Sequence, residues 1–262
     1  MTLVVTADDL GLSPGVTKGI LESHRRGVVR SASLVVTFAA AEEAAALARA
    51  EDDLEVGLHL DLVGGGPIAD PASIPSLCDD DGRFHPLAEF ARRLAIGRIR
   101  AHELAAEVRA QVALARRWGV PALAWDSHRH VHLMPPVARV VSRVAREEGV
   151  RWVRRGTAPR WPGAKGAAIH AASLVSALAY RGIAGNAWYV DLTGSRPRLD
   201  ATGLALLPAY GRLGEIGAHP GYVDAELRRV DPVLAEREED LALLTDPLVR
   251  AALDGAIRWR VP

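Results

Sequence analysis

Cysteine is almost missing from this chain of 262 residues, with Cys78 standing alone. That excludes an intrachain disulfide framework and fits a reducing compartment. No His-rich or Asn-bearing stretch surrounds Cys78, so it reads as an ordinary residue rather than a nucleophile. Net charge is missing too: 32 basic and 32 acidic side chains cancel. No basic field is left to attract nucleic acid or anionic lipid, and Arg146, Arg151, Arg154 and Arg155 read as solvated surface. No apolar run is long enough for a bilayer span. The opening MTLVVTADD has neither a basic n-region nor an apolar h-region, so no signal peptide and a cytoplasmic location are expected.

What remains is the composition of a globular protein with a sizeable core, 49% hydrophobic and 24% charged. The length suits one α/β barrel or two small domains. Without an internal repeat, low-complexity tract or linker, one domain over residues 1–262 is favoured. Short β-branched runs alternate with longer helical stretches. Strands are expected at Leu3 to Thr6, Ser33 to Thr37, Glu55 to Leu62, Ala122 to Asp126, Arg151 to Arg154 and Gly214 to Ala218. Helices are expected at Val16 to Gly27, with Ser13 able to cap it and Pro14 suiting its first turn, and at Ala39 to Ala50, Ala101 to Trp118, Pro136 to Glu148, His170 to Arg181 and Pro232 to Leu244. Ala201 to Leu207 is a further candidate, and Asp246 can cap a last short helix. A long turn-rich segment, Gly64 to Pro86, lies between the third strand and the helix at Ala101, and loops of that length are often functional. Repeated β-α units imply parallel strands with helical crossovers. About seven of them favour a barrel, incomplete or distorted, over an open doubly wound sheet.

In either architecture the chemistry belongs at the C-terminal ends of the strands, and ligand-type residues fall there. The first strand ends in Asp8 and Asp9. Side-chain alternation turns the two carboxylates in different directions, so that one can bind a metal while the other faces the substrate; as an isolated pair they also suit a helix cap or Asx-turn. In GLHLDL, alternation puts His59 and Asp61 on one face. The run DSHRHVHL brings Asp126, His128, His130 and His132 together, and an extended backbone would place its three imidazoles on one side. Such a cluster suits zinc, nickel or iron, with carboxylates widening the choice to manganese or magnesium. Asp126 can accept the second N–H of a metal-bound imidazole, while His130 and His132 line the pocket or pack. His219, in GAHPGY, is held at a strand end by the Pro220–Gly221 corner and is either a general acid or an ordinary turn histidine.

With these residues the pattern resembles the YdjC-like carbohydrate deacetylases, a family that includes chitooligosaccharide deacetylases and a hopanoid-biosynthesis-associated branch. ADDLGLSPGVTKGI is similar to its first motif, with Thr6 where Asn is usual and Leu10 where Phe is usual. VGLHLDL with its Gly- and Pro-rich loop, DSHRHVHLMP and AHPGY come next, in the family's order. The resemblance implies a seven- or eight-stranded (β/α) barrel distantly like the NodB deacetylases, with one divalent metal (Mg, Zn or another transition metal) on Asp9, His59 and His128. It further implies Asp8 as the general base and His219 as a catalytic or substrate-facing histidine. The implied reaction is removal of an N-acetyl group from an amino sugar or its conjugate by metal-activated water. The departures at Thr6 and Leu10 bear on substrate fit, and the stretch from Arg155 to Ser195, which matches poorly, on pocket shape.

Two other readings compete. A phosphoesterase-like hydrolase on the same barrel would want basic residues at the rim, which Arg129, Arg154 and Arg155 offer; a non-catalytic metal-binding barrel would keep the ligands without turnover. Trp118, Trp125, Trp152, Trp161 and Trp188 offer stacking faces for sugars, though most are expected to pack. Exposed apolar helix faces are compatible with a homodimer.

Overall fold

The structure, a computed structural model, describes residues 3–156, 163–194 and 199–261. Among them are seven strands, β1 (Leu3–Leu10), β2 (Ser31–Leu34), β3 (Glu55–Leu60), β4 (Ala124–Ser127), β5 (Trp152–Val153), β6 (Trp188–Asp191) and β7 (Gly214–Ala218). All pair in parallel in the order β5-β4-β3-β2-β1-β7-β6. The sheet curls into a half-barrel with helices outside. The flanking helices are α1 (Pro14–Arg26), α2 (Ala41–Arg49), α3 (Leu87–Ala95), α4 (Ala101–Arg117), α5 (Pro135–Glu147), α6 (Gly163–Ser176), α7 (Ala201–Leu206), α8 (Leu227–Val230), α9 (Ala235–Leu244) and α10 (Pro247–Leu253). None is long and apolar enough to cross a membrane. Ser13 and Asp246 cap α1 and α10 through the amides of Val16 and Leu248, each followed by a proline preset for the first turn.

Strand alternation divides the sheet chemically. Leu3, Val5, Ala7, Leu58, Leu60, Val153 and Ile216 pack outward in the apolar layer under the helices. The concave face carries Thr6, Asp8, Ser31, Ser33, Glu55, His59, Asp126, Arg154 and Glu215, most of them fully buried. A small barrel is ordinarily filled with apolar side chains; this one is filled with charge and hydroxyl. The segment leading into β6 approaches the β5 edge. The Val153 amide donates to the Ala184 carbonyl at 2.9 Å, and the Asn186 amide takes the place of a strand, accepting from the Arg155 N–H and donating to the Arg155 carbonyl, both at 2.7 Å.

The sequence pattern locates six of the strands, with ends shifted by a few residues. It misses β6, whose four residues, WYVD, are too few to show a period. It also starts α6 too late, since Gly163 and Gly166 weaken a helical pattern, and it passes over α3.

The chain closes the bottom of the half-barrel with its own C-terminal segment. Ile257 pairs beside Leu3, and Arg260 enters the concave face, donating to Glu55 at 3.0 Å, to Asp126 at 2.8 Å and to the Ala32 carbonyl at 3.0 Å. Removing one partner from a buried ion network leaves uncompensated charge, so Arg260→Ala is expected to lower unfolding free energy by about 3–5 kcal/mol. Urea denaturation checks this; a loss below about 1 kcal/mol, the scale of a surface pair, would show that the tail carries little of the fold.

Candidate metal centre

Both carboxylates of the Asp8–Asp9 pair turn inward, contrary to the alternation expected of them. The β1–β2 register slips between Ala7 and Leu10, so two residues oppose Ser33 alone. Asp9 adopts a left-handed backbone, φ 67°, costing about 1–3 kcal/mol for a non-glycine residue. Such a bulge re-aims a side chain. Here it carries Asp9 Oδ1 to 3.2 Å from His59 Nε2 and 3.2 Å from His128 Nδ1. The candidate ligand atoms of these three residues all lie within 4.8 Å of one another, with all three side chains buried. A second group with the same property is Asp8, His59 and Asp126.

His59 is held from behind. Its Nδ1 is 2.7 Å from Asp126 Oδ1, on the neighbouring strand. Burial opposes protonation of His59, but Asp126, with Asp9 and Asp8 adding to it, outweighs that and pushes its pKa up to about 10. Asp9 behaves in the opposite sense. Burial resists its ionisation, yet Arg237 and the two imidazoles hold its carboxyl well below the usual range. The cluster thus attracts positive charge strongly enough to hold a proton on a buried imidazole.

His128 reaches the cluster because DSHRHVHL is not extended. His128–Leu133 forms a 3-10 turn in which Arg129 and His130 are left-handed, with φ 54° and 56°. The three imidazoles therefore separate. His128 joins Asp9; His130 stacks edge-on against Tyr189 at 5.4 Å. His132 is buried between Ser127 Oγ, 2.6 Å from Nδ1, and the Arg154 carbonyl, 3.1 Å from Nε2. Asp61 organises the loop after β3. It accepts from Thr37 and from the amides of Val63, Gly64 and Gly65. That folds the glycine run against His128: a Cβ on Gly64 would stand 3.1 Å from His128 Cδ2.

Arg154 is not a surface residue. It is fully buried and forks onto Asp8 at 2.6 and 2.8 Å, with Glu215 and Asp126 each at 2.9 Å. Arg237, from α9, donates to Asp9 Oδ2 at 2.7 Å. Arg154, Arg237 and Arg260 contact five carboxylates within 3.0 Å, those of Asp8, Asp9, Glu55, Asp126 and Glu215. The set has a formal excess of two negative charges. His219, past the end of β7, keeps 22% of its side chain exposed at the mouth, its Nε2 3.9 Å from Asp9 Oδ2.

Residues 2–255 match the YdjC-like protein family. The chain belongs to that family. It is 32% identical to a carbohydrate deacetylase of Geobacillus stearothermophilus, over 95% of this chain and 91% of the relative. It is 34% identical to one of Brevibacillus brevis, over 94% and 91%, and 39% identical to a chitooligosaccharide deacetylase of Klebsiella pneumoniae over 56% and 57%. A solved structure from Enterococcus faecalis V583, named for cellobiose-phosphate cleavage, superposes with TM-score 0.82 at 25% identity, covering 96% of this chain and 93% of that one. The YdjC-like departures at Thr6 and Leu10 lie beneath the site: Thr6 donates to Glu215 at 2.8 Å and Leu10 is core. Trp125, Trp152 and Trp188 are buried and Trp118 is packed against the core, so none of these is a free stacking face. Trp161 lies outside the described residues.

Burial, with His130 adding to it, pulls the His132 pKa down to about 3. A histidine near 6.5 when unfolded takes up its proton there first, so the stability His132 contributes is whole above about pH 6.5 and is lost as pH falls toward 3. Urea midpoints measured from pH 8 to 4 should fall less steeply for His132→Asn than for the parent; parallel curves would contradict the assignment.

Proposed function

We propose that this YdjC-like chain is a metal-dependent hydrolase that removes N-acetyl groups from an amino sugar or its conjugate. Residues 1–262 would act as one cytoplasmic deacetylase domain, with Asp9, His59 and His128 holding one divalent ion. The observation that carries the reading is the convergence of those three residues from β1, β3 and the turn after β4, with ligand atoms within 4.8 Å. The relatives' names supply the substrate class. One carboxylate and two imidazoles suit magnesium, zinc or another transition metal, and two positive charges would neutralise the formal excess around the site. Such an ion, when bound, lowers the pKa of a water and polarises an acyl oxygen.

The protein's own groups would do the rest. A carboxylate offers about four lone-pair positions. On Asp8, Arg154 occupies two, while the single Ser33 hydroxyl proton goes to Asp126 Oδ2 at 2.7 Å. The positions left on Asp8 can take a proton from water, and the Arg154 fork fixes their direction. Asp126 orients His59, and Arg237 fixes the far oxygen of Asp9. His219, the most open of the group, would give a proton to the departing amine. The arginines that favoured the phosphoesterase reading are engaged elsewhere. Arg154 is enclosed in ion pairs, Arg155 donates to the carbonyls of Val153, Tyr180 and Ile183, and Arg129 pairs with Asp231.

Acetate release from a panel of N-acetylglucosamine conjugates, with chelator and with single metals restored, tests the proposal. Asp9→Ala and His128→Ala should lose bound metal and turnover together. Asp8→Asn should keep its metal and lose about 10²–10⁴-fold in kcat; full activity in that variant would remove Asp8 from the chemistry. Because metal must displace the His59 proton, apparent affinity should rise about tenfold per pH unit between pH 6 and 9. Calorimetry in buffers of different ionisation enthalpy should show about one proton released, and a pH-independent affinity would refute the displacement.

A further inference from the structure

His219 is gripped by two groups that no strand-end motif contains. Its Nδ1 lies 2.7 Å from Thr193 Oγ1. The same hydroxyl donates to Asp240 Oδ2 at 2.5 Å. That carboxylate oxygen also accepts the backbone N–H of His219 at 3.0 Å. The three contacts form a closed clamp: backbone N–H to carboxylate, hydroxyl to the same carboxylate, ring nitrogen to the hydroxyl. Thr193 and Asp240 are buried, Asp240 fully. Asp240 and Arg237 lie three residues apart on α9, hence on one helix face. A single helix thus supports the centre on two sides, Arg237 holding Asp9 and Asp240 holding His219.

The hydrogen count decides what the clamp does. A threonine hydroxyl has one proton and two lone pairs, and an ionised carboxylate only accepts. The proton of Thr193 is committed to Asp240, so toward His219 the hydroxyl can only accept. Nδ1 must then carry hydrogen. In a neutral imidazole the other nitrogen, Nε2, is left bare, and Nε2 is the one that faces Asp9 at 3.9 Å.

We propose that Thr193 is a positioning residue for His219, anchored by Asp240, and that it fixes the imidazole as the Nδ1–H tautomer with Nε2 presented to the reaction centre. A proton carried between enzyme and substrate by His219 then always passes through Nε2. Which ring nitrogen carries hydrogen is set by the bond the other makes; here the device is a hydroxyl relay in place of a direct carboxylate. The tautomer is a consequence of the clamp alone, whereas its effect on turnover rests on the deacetylase reading.

The test therefore has two arms. Long-range nitrogen–proton NMR on the full-length protein labelled with ¹⁵N-histidine, at pH 9, reads the tautomer of His219 directly, in chelator-treated and zinc-loaded samples alike. The parent should show a protonated Nδ1 and a bare Nε2, Thr193→Ser should preserve that pattern, and Thr193→Val should lose it. A parent with hydrogen on Nε2, or a Thr193→Val spectrum unchanged from the parent, would overturn the proposal whether or not the protein turns over an acetylated sugar. In kinetics, Thr193→Val should lower kcat about 10²-fold with KM little changed, and Thr193→Ser should restore most of it. Equal losses in both variants would mean that the hydroxyl serves only packing. No turnover by the parent on any acetylated sugar would count against the deacetylase reading and leave the tautomer result standing.

Discussion

The fork of Arg154 onto Asp8, shared with Asp126 and Glu215, is the interaction on which the interior of this half-barrel depends. A charge taken out of water costs several kcal/mol unless it is paired and hydrogen-bonded. The concave face buries five carboxylates against three arginines, and the arginines come from three separate places, just past β5, α9 and the C-terminal tail. The interior therefore assembles only when distant parts of the chain have arrived. Exposed pairs such as Arg26 with Glu22, whose arginine is 71% exposed, are worth at most about 1 kcal/mol and do not compete with that constraint.

The network is incomplete in one sense of charge. A polar core could have been neutral, but this one keeps a formal excess of carboxylates over arginines, and Asp9, His59 and His128 meet within it. The strained backbone of Asp9, Arg129 and His130 brings together side chains that regular strands would hold apart, a pattern expected where local strain serves a site. Around these residues, neighbouring groups each restrict one side chain: Asp126 restricts His59, Arg237 restricts Asp9, and the Asp61-organised glycine loop lies against His128. Position is fixed before any ligand arrives, which is what lets a small constellation act chemically.

Much of this was legible in the letters. Asp8, Asp9, His59, His128 and His219 all fall where strands end, and the rule that parallel sheets present chemistry at their C-terminal ends was enough to gather them. What stayed hidden has a physical cause in each case. Arg154 has the same letter as a solvated arginine, and only its partners, up to about 150 residues away in sequence, reveal that it is buried. Arg237 and Asp240 lie in an acidic run, AEREED, that reads as a water-facing helix. The inward turn of Asp9 comes from a one-residue register slip, which no local pattern announces. The even spacing of histidines after Asp126 would put them on one side only if the run were extended, whereas left-handed residues fold it into a turn. Thr193 comes after a strand too short to be recognised, so the relay behind His219 had no signal at all.

The central claim is that one divalent ion is shared by Asp9, His59 and His128. Anomalous diffraction from crystals grown with manganese or zinc tests it most directly. A single strong peak bounded by Asp9 Oδ1, His59 Nε2 and His128 Nδ1 is predicted. Ordered side chains with no peak between them, or an ion bound by other residues, would contradict the account.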